Sequence, residues 1–344
     1  MDAPHIDTIA KRFAGRRLTR RQALVQSGIG LAAGTLAAVG MPALGDARRA
    51  SASSAAEDFA GLVDIGGRSL FLERRGHGSP TVVFESGFRD TAASWSTDLL
   101  AKPGATPEVP RTMVLPGVAA FTSVVAYDRP GTFPSRSDPV PMPRSATDAV
   151  NDLHRLLVAA EVPGPYVLVG HSLGGLFVRL YASTYPDEVA GMVLVDAWSE
   201  GLREALTPKV WRTYVDFGLA IPEELQDYPD LESVDFEAVA NAMTQAESDH
   251  RLREIPLYVI TAGLPFDFSE ADVGFSRDAW QDAWSTSQDQ LATLLPDARH
   301  VIAQHSGHNI HQDQPELVIG AIRQVVEAVR DPDTWTATPA ATPT

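Results

Sequence analysis

The chain of 344 residues is 44% hydrophobic, carries a formal net charge of −16 and contains no cysteine. That length supplies one sizeable core or two small ones, and the missing cysteine excludes disulfides, a thiolate nucleophile and thiolate metal sites. The first 56 residues hold 8 Lys and Arg against 3 Asp and Glu, leaving 20 against 41 for the rest; a body this acidic repels phosphate backbones and anionic lipid, so nucleic acid is not an expected partner.

In chain order, the first feature is Arg16–Gly45. A basic region with Arg20-Arg21 precedes a Gly/Ala-rich apolar stretch from about Ala23 to Leu44, and small residues follow. A stretch of about 20 apolar residues could span a bilayer, but Gly28, Gly30, Gly34 and Gly40 make this one a poor anchor. The segment resembles a bacterial twin-arginine signal peptide. The resemblance implies export to the periplasm or beyond, cleavage between Gly45 and Ala56, and membrane association only through an uncleaved signal. Residues 1–56 are therefore read as signal and linker and 57–331 as one domain. The Thr-, Pro- and Ala-rich segment 332–344 is read as a flexible tail.

From Leu62 onward, short β-branched runs alternate with amphipathic stretches, the pattern of an α/β fold with a largely parallel sheet. Leu62–Ile65 and Ser69–Arg74 flank Gly66-Gly67 as a hairpin. The expected strands that follow are Thr81–Glu85, Ser123–Asp128, Tyr166–Gly170, Gly191–Asp196, Pro256–Thr261 and His300–Ala303. Ala146–Glu161, Leu173–Tyr185 and Pro315–Val329 carry helical periodicity. Ala101–Thr122, which contains several prolines, reads as a loop beside the site. The segment 197–254 reads as a helical cap whose Trp198, Trp211, Tyr214, Phe217 and Tyr228 either line an apolar pocket or form the core of a lid.

Gly170-His171-Ser172-Leu173-Gly174 matches Gly-x-Ser-x-Gly, with a strand before it and a helix after it. A sharp strand-to-helix turn lifts the serine hydroxyl off the strand end, and the helix N-terminus favours developing negative charge. A serine hydroxyl needs a base to take its proton. His308, after the last strand and before the closing helix, stands where the chain order of nucleophile, acid and histidine puts that base. His300, His305 and His311 lie close to it in sequence, but at irregular spacings without neighbouring carboxylates, so no metal is expected. His171 is expected to pack under the turn and His154 to be structural. For the acid, Asp196 at a strand end is preferred, with Asp267 as the alternative and Asp272 a further one. The oxyanion donors are expected to be the backbone N–H groups of Leu173 and of Phe88, which follows Ser86-Gly87 after the strand TVVFE.

These residues resemble the α/β-hydrolase superfamily over about Leu62–Arg330. The resemblance rests on GHSLGG, on YDRPG at Tyr127–Gly131, and on SGH at Ser306–His308 followed by Pro315-Glu316-Leu317-Val318. Three features depart from it: Ser86-Gly87 in place of His-Gly, an insertion after YDRPG, and no Gly-x-x-Asp after the seventh strand. The resemblance implies an eight-stranded, mostly parallel sheet with helices on both faces and a lid between strands six and seven. It also implies cofactor-free hydrolysis of an ester, lactone, thioester or amide through an acyl-serine. The expected partner is a small or medium ester or lactone. A peptidase or amidase of the same fold and a non-catalytic ligand-binding protein are the alternatives. Dehalogenase chemistry is disfavoured because it would want a carboxylate where Ser172 stands.

Overall fold

The interior strands are runs of Val, Ile, Leu and Phe because both of their faces are covered. TVVFE is buried along its whole length. The computed structural model describes residues 58–101, 111–249 and 251–336. The expected signal and linker, and the tail beyond 336, lie outside the described residues. Eight strands form one sheet: β1 (Phe59–Asp64), β2 (Ser69–Arg75), β3 (Thr81–Glu85), β4 (Val124–Tyr127), β5 (Tyr166–His171), β6 (Val189–Val195), β7 (Leu257–Ala262) and β8 (Arg299–Ala303). Their order is β1-β2-β4-β3-β5-β6-β7-β8. Only β2 runs antiparallel to its neighbours; every other pairing is parallel.

Alternation along each strand divides the core between the two faces. Val82, Phe84, Val167, Val169, Val193 and Val195 face the closing helix Pro315–Arg330. Val83, Leu168, Met192 and Leu194 face the helices Ala146–Ala159 and Leu173–Thr184. Strand order reverses at β3, which has β4 on one side and β5 on the other. In open α/β sheets the crevice beyond the carboxyl ends of the strands at such a point is where ligands bind.

The cap lies between β6 and β7 as helices Gly201–Ala205, Pro208–Leu219 and Phe236–Asp249. Phe236, Val239, Ala240 and Met243, at helical spacing, turn inward and share a core with Trp198, Trp211 and Tyr214. Those last three aromatics are therefore lid core. Phe217 is partly buried against it, while Tyr228 is exposed with its ring edge-on to Phe133.

Two expectations change. The segment read as a loop from Ala101 to Thr122 contains the helix Val114–Ala119, which buries Val114, Leu115 and Val118. Pro116 falls in its first turn, where no intrahelical N–H is required. The tail read as flexible from 332 begins with a helical turn at Asp333–Thr336. Trp335 anchors that turn: its indole N–H donates to the Asp297 carbonyl, and the Arg299 guanidinium lies 4.1 Å from its ring centroid. Among the described residues no helix is long and apolar enough to cross a membrane.

Candidate active site

Ser172 sits between β5 and the helix Leu173–Thr184 with φ 51° and ψ −125°. Its N–H donates to the Val195 carbonyl at 3.2 Å, and its carbonyl accepts from Gly175 and Trp198. The glycines of the motif are required by close approach. A Cβ at Gly170 would lie 2.5 Å from the Gly174 carbonyl oxygen, and one at Gly174 would run into the Glu85 carbonyl. Both neighbours are backbone and cannot move aside. Gly174→Ala is therefore expected to destabilise the fold by about 1–3 kcal/mol, read as a lowered urea midpoint with unchanged slope. A variant as stable as the parent would contradict this packing.

Four non-glycine residues have positive φ among those described: Arg89, Glu161, Ser172 and Asp196. Three of them meet here, and strain of this kind persists only where the surroundings over-determine it. Asp196 follows β6 directly. Its Oδ1 accepts the Ala262 N–H at 2.9 Å, and its Oδ2 accepts the His308 Nδ1–H at 2.6 Å. Burial pushes the Asp196 carboxyl up to about 7, opposed by the Ala262 hydrogen bond. His308 is fastened on both sides of the serine. Its ring holds Asp196, next to the Val195 that binds Ser172, and its carbonyl accepts the His171 Nε2–H at 3.0 Å. Phe266 and Trp284 flank the His308 ring, with centroids 5.2 and 5.3 Å away, which keeps water from the pair.

The loop after β3 comes close to the serine: a Cβ at Gly87 would lie 3.3 Å from Ser172 Cβ. Among the described residues, the N–H groups of Phe88 and Leu173 donate to no backbone carbonyl. Leu173 is the first residue of its helix, where N–H groups have no intrahelical partner. Arg129, from the YDRPG motif, holds the loop from behind. It donates to the Ser86 carbonyl at 2.7 Å, the Gly87 carbonyl at 2.6 Å and Glu85 Oε1 at 2.5 Å. Burial opposes its charge, but Glu232 and Glu85 outweigh burial and hold the guanidinium well above its ordinary value. Burial pushes the Glu85 carboxyl up, opposed by Arg129 and by the Tyr127 hydroxyl.

A family model described as "Alpha/beta hydrolase family" matches residues 82–321. This chain belongs to the alpha/beta hydrolase family. The protein YqjL of Bacillus subtilis (strain 168) is 27% identical over 256 residues, covering 73% of this chain and 85% of YqjL. Among solved structures, the haloalkane dehalogenase DatA of Agrobacterium tumefaciens C58 superposes with a TM-score of 0.55 at 14% identity, covering 79% of this chain and 97% of DatA. The CarC serine hydrolase of carbazole degradation gives 0.51 at 15% identity, covering 79% and 99%. At these identities the structural likeness speaks for the fold alone.

In this alpha/beta hydrolase the two candidate acids separate cleanly. Asp196 is fully buried and bonded to His308, whereas the Asp267 side chain is 93% exposed and faces Arg277 at 3.8 Å. The side chain of Asp272 lies outside the described residues. His171 is buried under the turn, and His154 stacks on Tyr185 and bonds Glu188. Of the histidines near His308 in sequence, His300 bonds Thr261 on the sheet and His305 is exposed. His311 instead turns inward against Trp95 and His171. Among the described residues, Asp90, His171 and His311 bring their ligand atoms within 4.8 Å of one another and form the one group able to hold a metal ion. Sequence reading missed Arg129, Glu85 and Glu232. YDRPG pointed to the first of these only as part of a motif.

Proposed function

We propose that this alpha/beta hydrolase cleaves a small or medium carboxylic ester or lactone through an acyl-serine intermediate. The observation that carries the reading is the 2.6 Å bond from His308 Nδ1 to the buried Asp196, formed beside a strained serine at the head of a helix. With Nδ1–H held by the carboxylate, Nε2 keeps its lone pair and accepts the Ser172 proton. The serine oxygen attacks the ester carbonyl. The oxyanion is received by the Phe88 and Leu173 amides, each worth about 3 kcal/mol to the transition state. His308 then gives its proton to the leaving alkoxide. Water, deprotonated by the same imidazole, hydrolyses the acyl-serine and restores the hydroxyl. No step requires a cofactor.

A halide-displacing reaction of the kind named for DatA would want a carboxylate nucleophile where Ser172 stands. The Arg20-Arg21 segment supports export of the protein. Incubation with a fluorophosphonate is expected to leave one adduct on the tryptic peptide Leu156–Arg179, at Ser172. An adduct elsewhere, or none, would overturn the reading. Turnover of short p-nitrophenyl esters is expected as well, and activity confined to aminoacyl amides would move the substrate class to peptides.

A further inference from the structure

We propose that Glu232, carried by the cap, is a positioning residue that sets the direction of the Phe88 amide. The inference rests on the acyl-serine reading of the site. A trans peptide group is planar, so the Gly87 carbonyl and the Phe88 N–H point in opposite directions. Whatever holds the carbonyl therefore aims the N–H. The holder is Arg129 Nη2, at 2.6 Å, with the Asp90 N–H adding a second bond at 3.1 Å. The peptide group on the other side of Phe88 is held too, because the Arg89 N–H donates to Glu232 Oε2 at 2.6 Å.

Glu232 governs both bonds. Its carboxylate spans Arg129 Nε at 2.7 Å and Nη2 at 3.1 Å. Together with Glu85, Ser86 and Gly87 it occupies all five guanidinium N–H donors, so the fork has one orientation. Glu232 belongs to the segment of the cap that precedes the helix Phe236–Asp249. Its own N–H donates to the Gly131 carbonyl at 2.7 Å, and its carbonyl accepts from Arg89 Nε at 2.9 Å. The segment lies flush on Gly131, where a Cβ would come within 2.7 Å of the Glu232 nitrogen. Arg89 also reaches the Ala220 carbonyl at 2.6 Å, a second tie between loop and cap. One cap side chain thus orients the loop twice, through Arg129 and directly. The oxyanion donor is aimed when the cap is seated.

Glu232→Gln tests this. The variant keeps the shape but offers one acceptor oxygen to three donors, so its amide NH2 must face at least one N–H. Turnover of a p-nitrophenyl ester is expected to fall about 10–100-fold in kcat with KM unchanged. The affinity of an alkylboronic acid, which forms a tetrahedral adduct on the serine, is expected to fall by the same factor. A side chain that merely held the cap in place would lower the melting temperature or raise KM and leave boronate affinity intact, and that result would overturn the proposal. If E232Q does not fold, Glu232→Asp keeps the charge but shortens the side chain, so the carboxylate no longer reaches Arg129 and the Arg89 N–H together. A matched loss of kcat and boronate affinity of about 3–10-fold is then expected, and no loss in the folded variant would overturn the idea. Failure of the parent protein to bind boronate would overturn the acyl-serine reading and this inference with it. A parent that binds, beside an E232Q variant that binds equally well, would overturn this inference alone.

Discussion

Ser172→Ala is expected to lower ester turnover by roughly a millionfold in kcat, the scale seen when a serine nucleophile that acts as one unit with its base is removed. The substitution takes away one oxygen and leaves every backbone contact of the turn in place. The Ser172 N–H keeps Val195, and its carbonyl keeps Gly175 and Trp198. Alanine tolerates φ 51° no better and no worse than serine, so the strain of the turn is retained. The melting temperature should accordingly hold or rise slightly, since the bonds that hold the turn at this position are main-chain. Substrate affinity should survive because the Phe88 and Leu173 amides are main-chain groups. Fluorophosphonate labelling of Leu156–Arg179 should vanish. A variant that retains more than about a thousandth of the turnover would show that another group attacks the carbonyl.

The parts of this molecule legible in its sequence are those whose physics is local. β3, β5 and β6 are largely apolar, valine-containing runs because each is covered on both faces, and the serine turn is marked by glycines that close backbone approach demands at Gly170 and Gly174. Features that depend on distant partners were less visible. The helix Arg277–Leu291 is mostly polar, and its inward face is a sparse set that includes Trp280, Ala283, Trp284 and Leu291. It nevertheless delivers Trp284 to the His308 ring. Glu232 lies in an unremarkable acidic stretch, and its partner Arg129 is 103 residues away. The choice between Asp196 and Asp267 turned on which strand end the His308 loop reaches, and only the packing of β6, β7 and β8 determines that. Composition likewise could not show that Trp198, Trp211 and Tyr214 would be used up as lid core.

Asp196→Asn is expected to cost about 10⁴-fold in kcat with folding intact, and the reason lies in which oxygen does what. Oδ1 of Asp196 accepts the Ala262 N–H, while Oδ2 accepts from His308. An asparagine must keep its oxygen toward Ala262, because the amide NH2 would otherwise oppose a backbone N–H. Its NH2 then faces His308 Nδ1 and donates to it. The imidazole proton is driven to Nε2, the atom that has to accept from Ser172, so the base is present in the wrong tautomer. The pH dependence of the parent follows from the same pair. Burial raises the Asp196 carboxyl from 3.8 to about 7. Below that pH the pair holds an extra proton, shared between imidazole and carboxyl. Wherever it resides, Nε2 is capped: imidazolium has no free lone pair, and a protonated carboxyl donates to Nδ1 and leaves the hydrogen on Nε2. Parent kcat/KM should therefore rise with pH through a single ionisation near 7 and level off above it. The sign for stability is opposite to that of a stabilised carboxylate. A folded-state value above the unfolded one means that ionised Asp196 opposes folding increasingly as pH climbs from about 4 to 7. The neutral amide escapes that cost, so its melting temperature at pH 8 should be no lower than the parent's. A variant that loses activity only in proportion to lost fold would assign Asp196 to structure, and a parent profile flat from pH 5 to 9 would remove the pair from catalysis.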